Sequence, residues 1–367
     1  MLRFYLKSFF LIAAVIGTIF AFNYIIYTNH IHKGYDFHER ISQILLQGKT
    51  AAGMYAFDSA LAKRLYIEKA GKRKLDVLIL GTSKVMLVGG DMLKGKKYYN
   101  AAILLASIKE YETMFYICEK NGFSADNILI EIDHRLFSKK HEKWNYLTIY
   151  DKYWEFLKWI YPDRDNTKSL SDRFKYFISK YENYFSISYM HQTIATIMAK
   201  QKTYDENIFS AQLDNPATYG FGWLISPDGR MHFPGGFRFS SQKDLNTSVE
   251  HWVASNDKDF YYKDQEISDE LVNNFVDFVL FLKRIGKKVY FFVPPYNPIL
   301  YNTIKDDPKY DIFLRVEKLI RKIGKENNIK VYGSFEPKGF TKDQYYDHWH
   351  SREEVMKTIF KNIDFDE

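Results

Sequence analysis

The stretch DVLILGTS, residues 76–83, contains the pattern that decides the fold. Residues 76–80 form a short apolar run that ends at Gly81, which is typical of a strand buried on both faces of a parallel sheet. Alternation of such strands with apolar helices predicts a three-layer α/β/α domain with a doubly wound parallel sheet and right-handed crossovers. We expect further strands at 97–100, 127–132, 288–293 and 329–332, and helices at 108–121, 268–285 and 312–326.

Composition divides the chain into further segments. Residues 34–75 are mixed and charged, as in a stalk or linker, and residues 76–137 form the first part of the α/β domain. Residues 138–263 interrupt the strand-helix alternation and are dense in Trp and Tyr, so we interpret them as an insertion between the third and fourth strands. Residues 264–367 are expected to complete the domain. The aromatic side chains of the insertion form either its own core or a binding surface.

An uncharged apolar run extends from Ser8 to Tyr27. Its length matches the ~20 residues that an α-helix needs to cross ~30 Å of hydrocarbon. No small-x-small cleavage site follows the run, so the pattern predicts an uncleaved transmembrane helix within residues 1–33. Such an anchor predicts a single-pass protein of the cell membrane with its main domain outside the cytoplasm, although basic residues flank the run on both sides. The alternative interpretation is a buried core helix.

The chain carries a formal charge of +7, from 52 Lys and Arg against 45 Asp and Glu, without one dominant basic run. This distribution favours an anionic neighbourhood, such as a membrane bilayer or an acidic polymer, and argues against a nucleic-acid partner. Cys118 is the only cysteine, so the chain has no intramolecular disulfide. The sequence contains no glycine-rich nucleotide-binding motif, and we expect no cofactor.

Ser83 follows the first predicted strand, at the sheet edge where open α/β proteins bind their ligands. A helix is expected to begin at residues 84–86, and its free N–H groups and positive dipole end would then face the serine. This position suits a nucleophile whose substrate develops an oxyanion. The alternative is that Ser83 only caps the helix.

The sequence YYDHWHSREEVMKTIF, residues 345–360, precedes and forms the last predicted helix. Ser351 and Glu354 have the spacing of a capping box, which would hold His350 at the helix mouth. Asp347 could accept a bond from His350 Nδ1–H, so that Nε2 could take a proton from a hydroxyl. A metal site that includes His348 and a merely polar turn are alternatives. We expect no metal, because HExxH and cysteine-cluster motifs do not occur, and we interpret His348 as a solvated neighbour.

A serine after the first strand and a DxxH motif before the final helix resemble the SGNH (GDSL-like) hydrolase superfamily. The resemblance covers residues 76–138 and 264–367, and it implies that Ser83 is the nucleophile, His350 the base and Asp347 its orienter. With the anchor and the insertion, the chain resembles the membrane-anchored acyl-transfer branch, which includes DltD-type, AlgX-type and AlgJ-type proteins. That branch implies work on a cell-surface glycopolymer or acyl carrier beside a membrane-bound O-acyltransferase.

The motifs of the superfamily that build its oxyanion hole differ in this chain. The glycine of the second block is replaced by the sequence NAAI, residues 100–103, and the asparagine of the third block by DHR, residues 133–135. The candidate oxyanion donors, through backbone or side chain, are therefore Ser83, Asn100, Ala102 and Arg135.

The leading function is a serine acyltransferase or esterase that acylates or deacylates cell-surface glycopolymer, as in polysaccharide O-acetylation. The alternative is a non-catalytic scaffold that binds the polymer or a membrane-bound O-acyltransferase partner through the aromatic insertion. An intact Ser83, Asp347 and His350 favour the enzyme over the scaffold.

Overall fold

The computed structural model describes residues 7, 8, 10, 14, 15, 17–21, 36–54, 57–141, 147–162, 209–211 and 222–365. The strands in these residues are β1 (Thr50–Met54), β2 (Arg73–Leu80), β3 (Tyr98–Asn100), β4 (Phe123–Glu131), β5 (Phe209–Ala211), β6 (Trp223–Ile225), β7 (Met231–His232), β8 (Lys288–Val293) and β9 (Lys330–Gly333). Residues 36–46 are helical. The later helices are α1 (Ser59–Lys69), α2 (Ile108–Lys120), α3 (Tyr150–Ile160), α4 (Gly235–Arg238), α5 (Gln242–Ala254), α6 (Asp257–Tyr262), α7 (Asp269–Arg284), α8 (Pro298–Ile304), α9 (Ile312–Glu326) and α10 (Glu353–Phe360).

A parallel sheet with the strand order β3-β2-β4-β8-β9 forms the centre of the α/β domain. The prediction of an α/β fold with a parallel sheet is confirmed, and the predicted strand at 288–293 has the bounds of β8. The chain moves from β2 outward to β3 and then returns to β4 on the other side of β2. The direction of winding therefore reverses between β2 and β4, and ligands of such sheets bind at this switch point.

The two faces of β2 explain its continuous apolar run. Leu78 and Leu80 pack into the larger core with side chains of α2, α7 and α9, whereas Val77 and Ile79 pack on the opposite face with side chains of α10. All four side chains are fully buried, and each contributes about 1.5–3 kcal/mol of hydrophobic stabilisation. Helices on both faces of the sheet are consistent with the predicted three-layer arrangement.

The described residues of the segment 34–75 do not form the predicted stalk. Phe37, Ile41 and Leu45 lie on one face of the helical residues 36–46 and are buried in the core. β1 forms an antiparallel sheet with three strands from the insertion, in the order β5-β1-β6-β7. The described part of this segment therefore belongs to the folded domain. The sequence pattern did not predict this packing, because the partners of these side chains are distant along the chain.

The described parts of the insertion 138–263 leave and rejoin the domain at one place. Ser138 forms an antiparallel bridge with Ile267, and Ser268 donates its N–H to the Phe137 carbonyl over 2.8 Å. Residues 142–146, 163–208 and 212–221, with Trp144 among them, lie outside the described residues.

One aromatic helix of the insertion packs on the α/β domain. Trp159 of α3 stacks on Phe115 of α2 with ring centroids 6.2 Å apart, and it also contacts Phe281 of α7 edge to face. Phe156 of α3 is fully buried between the same helices. These aromatic side chains therefore extend the core of the domain, whereas the sequence had suggested a separate core or a binding surface.

The predicted membrane-spanning segment, residues 8–27, lies mostly outside the described residues. Within the part of the chain that the structure describes, no helix is both long enough and apolar enough to cross a bilayer.

Candidate active site

Ser83 lies in a hydrogen-bonded turn after β2, and the helix predicted to begin at residues 84–86 is not formed. The Val85 N–H donates to the Thr82 carbonyl, and the Val88 N–H donates to the Val85 carbonyl. The side-chain amide of Asn100 donates to the carbonyls of Val85 and Val88, over 2.9 and 3.0 Å. These carbonyls are therefore engaged by a side chain from β3, and the proposed helix dipole does not face Ser83.

Gly81 allows the turn to pack against β4. A Cβ at this position would lie 2.3 Å from a methyl carbon of Val85 and 2.7 Å from a carboxylate oxygen of Glu131. Neither distance is possible for a real side chain, so the close approach of the Ser83 turn to β4 requires glycine here.

The structure brings Ser83 and His350 together, although 267 positions separate them in the chain. The Ser83 hydroxyl lies 2.7 Å from His350 Nε2, and His350 Nδ1 lies 2.7 Å from an oxygen of Asp347. An ionised Asp347 accepts the Nδ1–H, which leaves Nε2 as the acceptor for the serine hydroxyl. The three side chains that the sequence predicted to meet, Ser83, His350 and Asp347, are therefore in hydrogen-bond contact.

Asp347 is held in its ionised form. Burial opposes the charge, but the nearby His350 ring and its hydrogen bond keep the pKa of Asp347 below its ordinary value. The other carboxylate oxygen accepts the backbone N–H groups of Trp349 and His350, each over 2.7 Å. This local turn fixes both the carboxylate and the ring, because two of the other three residues in the DxxH motif, Trp349 and His350, donate hydrogen bonds to Asp347.

Helix α10 begins later than the sequence suggested. Ser351 forms an antiparallel bridge with Tyr345, so its backbone is extended and Arg352 is the N-cap residue. The predicted capping box of Ser351 and Glu354 is therefore wrong. The bridge gives the 345–351 segment the form of a narrow loop, and the Tyr346 N–H donates to the His350 carbonyl over 2.8 Å.

His348 is not the solvated neighbour that the sequence suggested. Its ring stacks on Trp252 of α5 with centroids 3.6 Å apart and an angle of 6° between the planes. Burial lowers the pKa of His348 to about 4, so the ring is neutral at neutral pH. Among the described residues, no group of three His, Cys, Asp or Glu side chains is arranged to hold a metal ion.

Both neighbours of Ser83 are bound to the end of β4. The N–H and hydroxyl of Thr82 donate to the Glu131 carboxylate over 2.5 and 2.9 Å. The Lys84 ammonium donates to the Asp133 carboxylate, and both side chains are almost fully buried. The serine is therefore held between two side-chain contacts to one neighbouring strand. These contacts were not predicted from the sequence, although Glu131, an acidic residue within the apolar run 128–132, was a signal for them.

The ion cluster at the end of β4 also includes Arg135. Its guanidinium donates to both oxygens of Asp133 and lies 5.0 Å from the centre of the Trp349 ring. Burial opposes ionisation of Asp133, but Arg135 and Lys84 together hold its pKa well below the ordinary value. Burial lowers the pKa of Lys84. The Lys84 and Arg135 cations thus share the Asp133 carboxylate beside the serine turn. The Glu131 carboxylate, which binds Thr82, lies two residues before Asp133 in the chain.

Two of the predicted oxyanion donors are already engaged. The Asn100 amide donates to the turn carbonyls of Val85 and Val88, and its oxygen accepts the Ala102 N–H over 3.1 Å. Asn100 and Ala102 therefore stabilise the loop and are not free to bind an oxyanion. No described residue accepts a hydrogen bond from the Ser83 N–H, which leaves this donor and the Arg135 guanidinium as candidates.

The last described part of the insertion, residues 222–263, lies beside His350. Phe233 contacts the His350 ring at 5.0 Å between centroids. The hydroxyl of Tyr262 accepts the indole N–H of Trp349 over 2.7 Å, and its ring stacks on His134 at 4.6 Å. These contacts hold His350 and the preceding Trp349, so the insertion contributes a wall of the site.

No protein-family model matches the chain, and no curated protein sequence matches it either.

Proposed function

We propose that the protein is a serine acyl-transfer enzyme with an SGNH-like active site. The observation that supports this most directly is the 2.7 Å contact between the Ser83 hydroxyl and His350 Nε2, with Asp347 on the other ring nitrogen. A nucleophile, its base and an orienting carboxylate within direct hydrogen-bond reach satisfy the geometric requirement for nucleophilic catalysis.

The reaction begins when Ser83 Oγ attacks the carbonyl carbon of an acyl donor. His350 Nε2 takes the serine proton as the new C–O bond forms, and the ionised Asp347 stabilises the resulting imidazolium. The carbonyl oxygen becomes an oxyanion, for which the Ser83 N–H and the positive charge of Arg135 are the available partners. Collapse of the intermediate breaks the bond to the leaving group, which receives the proton from His350 and leaves an ester on Ser83.

The second half of the reaction transfers the acyl group. An acceptor hydroxyl gives its proton to His350 Nε2 and attacks the Ser83 ester, and collapse of that intermediate returns the proton to Ser83 Oγ. A sugar hydroxyl as acceptor gives O-acylation of a glycopolymer, whereas water gives net deacylation. The acceptor that reaches the ester decides between a transferase and an esterase.

We further propose that the enzyme is anchored in the cell membrane and acts on cell-surface glycopolymer, beside a membrane-bound O-acyltransferase that supplies the acyl group. The uncharged run of residues 8–27 supports the anchor, and the resemblance to the acyl-transfer branch supports the substrate. A Cys118→Ser variant with an added Lys305→Cys label site tests the topology. Labelling of intact cells by a membrane-impermeant maleimide is expected, and labelling only after lysis would contradict it.

Covalent labelling tests the proposed chemistry. The full-length protein is treated with a fluorophosphonate probe, which phosphonylates activated serines, and the modified peptide is identified by mass spectrometry. We expect modification of Ser83 in the parent protein, none in a folded Ser83→Ala variant, and parental labelling in Ser124→Ala, because Ser124 lies at the opposite end of β4. Failure of the folded parent protein to react at Ser83 would contradict the enzyme.

The engagement of Asn100 and Ala102 favours a second candidate function, a non-catalytic scaffold. Because Asn100 and Ala102 cannot donate to an oxyanion in this arrangement, the site has fewer free donors than the resemblance implies. A scaffold would bind glycopolymer or an acyltransferase partner equally well with or without Ser83. Unchanged acylation of the polymer in cells that carry Ser83→Ala would support the scaffold.

A further inference from the structure

A lysine is buried behind the loop that follows β3. Lys63 lies in α1, and its side chain has no exposed surface. Its ammonium donates to two backbone carbonyls, those of Asn100 at 2.7 Å and Ala102 at 2.5 Å. The described titratable groups that face it are the Cys118 thiol on α2 and the Asp228 carboxylate of the insertion, and neither is its hydrogen-bond partner.

Burial of this lysine has an energetic cost. The ammonium loses its hydration, and no carboxylate compensates for that loss within hydrogen-bond distance. Burial accordingly lowers the pKa of Lys63 to about 7. Methionine would fill a similar volume without this cost. A buried lysine that lowers the unfolding free energy at neutral pH is expected to have a function besides filling the core.

Hydrogen bonds connect Lys63 to the serine turn through the loop that follows β3. Asn100, whose carbonyl accepts from Lys63, donates its side-chain amide to the carbonyls of Val85 and Val88. The same loop is bonded to the end of β2, because the Ile103 N–H donates to the Gly81 carbonyl over 3.0 Å. A shift of the loop therefore moves both ends of the turn that contains Ser83.

We infer that Lys63 is a positioning residue for Ser83, because its two hydrogen bonds fix the 100–102 loop and Asn100 fixes the serine turn. This role rests on the proposed function of Ser83 as the nucleophile. The ammonium form has the stronger donors, so positioning is best when Lys63 is protonated and weakens as it becomes neutral. Burial raises the pKa of Cys118, so the thiol that faces Lys63 stays uncharged over the same range.

The test measures the rate at which the fluorophosphonate probe modifies Ser83 in the full-length chain. Lys63→Met is expected to lower the maximal rate by about 10–100-fold with an unchanged half-saturating probe concentration, because a small misplacement of the nucleophile affects the reaction more than the binding. Lys63→Gln, which keeps two N–H donors, should restore part of the rate. Lys69→Met is the matched control, because Lys69 ends the same helix and, within the described part of the chain, pairs with Glu39 at the surface.

A pH profile separates positioning from simple loss of structure. The ratio of the parental rate to the Lys63→Met rate should fall as the pH rises through about 7, where Lys63 loses its proton. Equal rates and equal pH profiles in folded parent and variant would overturn the inference, while labelling of Ser83 would still support the enzyme. If Lys63→Met does not fold, Lys63→Gln gives the comparison, and a parental rate with a parental pH profile overturns the inference there too. A parent protein that does not react at Ser83 would overturn both proposals.

Discussion

The two halves of the candidate active site are built in different ways. Asp347 and His350 are three residues apart, and their turn is closed by hydrogen bonds within the DxxH motif itself. The Ser83 turn is instead held by the side chains of Glu131 at the end of β4, of Asp133 just after it, and of Asn100 on β3. The acid-base half is therefore a local structure, whereas the nucleophile half depends on the assembled sheet. Substitutions should accordingly reduce activity alone in the first half and both activity and stability around the second.

The largest expected effect is the loss of acyl transfer on removal of either end of the Ser83–His350 contact. Ser83→Ala and His350→Ala should each lower the rate by about 10⁶-fold, and the double variant should cost little more, because triad members act as a unit. Single-turnover acetylation by an activated ester measures this. Additive losses in the double variant would show that the two side chains act independently.

The next largest effect is expected in the acid-base half of the site. Asp347→Asn should lower the rate by about 10⁴-fold, because an amide stabilises the wrong tautomer of His350. The unfolding free energy should change little, since an amide oxygen can still accept the backbone N–H groups of Trp349 and His350. Chemical denaturation beside the kinetic assay measures both quantities. A large loss of stability would mean that this half also depends on the assembled fold.

In the nucleophile half of the site, Asp133→Asn should be strongly destabilising. It leaves the buried Lys84 and Arg135 without their shared carboxylate, at a cost of about 3–5 kcal/mol in the unfolding free energy. Asp91→Asn is the matched control, because Asp91 also pairs with two cations but at the surface, and it should cost about 1 kcal/mol or less. Urea denaturation compares the two variants. Equal losses of unfolding free energy in the two variants would show that burial does not increase the contribution of the Asp133 ion pairs to stability.

Because Lys63 is buried, the unfolding free energy is expected to depend on pH. Its folded pKa of about 7 lies below the unfolded value, so between these values the unfolded chain binds more protons and the unfolding free energy rises with pH. The expected slope is about 1.4 kcal/mol per pH unit from just above pH 7 to near pH 10, and Lys63→Met should lose it. Denaturation curves at several pH values measure the difference between parent and variant. A constant difference would mean that Lys63 keeps an ordinary pKa.

The smallest expected effect concerns His348. His348→Ala removes the ring that stacks on Trp252 but none of the hydrogen bonds between Ser83, His350 and Asp347. The rate should fall by less than about tenfold, and the unfolding free energy by about 0.5–1.5 kcal/mol for the lost stacking contact. The same kinetic and denaturation assays apply. A loss as large as that of His350→Ala would indicate a direct chemical role for His348.

Much of the fold could be predicted because its signals are local. Strands such as β8 and helices such as α7 follow from short apolar patterns and from caps such as Ser268, whose side chain accepts the Leu271 N–H. The predicted helix after Ser83 and the predicted capping box at Ser351 failed for one shared reason. In each case a partner outside the segment, Asn100 or Tyr345, engages the backbone that the helix would have used.

The sequence by itself determined the parallel α/β pattern, the DxxH turn and the presence of a serine after β2. Each follows from side-chain type and from spacing over a few residues, and such preferences act before the chain folds. Only the tertiary structure decided that Ser83 meets His350, that Asn100 and Ala102 are engaged, and that Lys63 of the expected stalk is buried behind the loop. These contacts join positions far apart in the chain. They are stable only when the sheet and its helices have excluded water from the groups concerned.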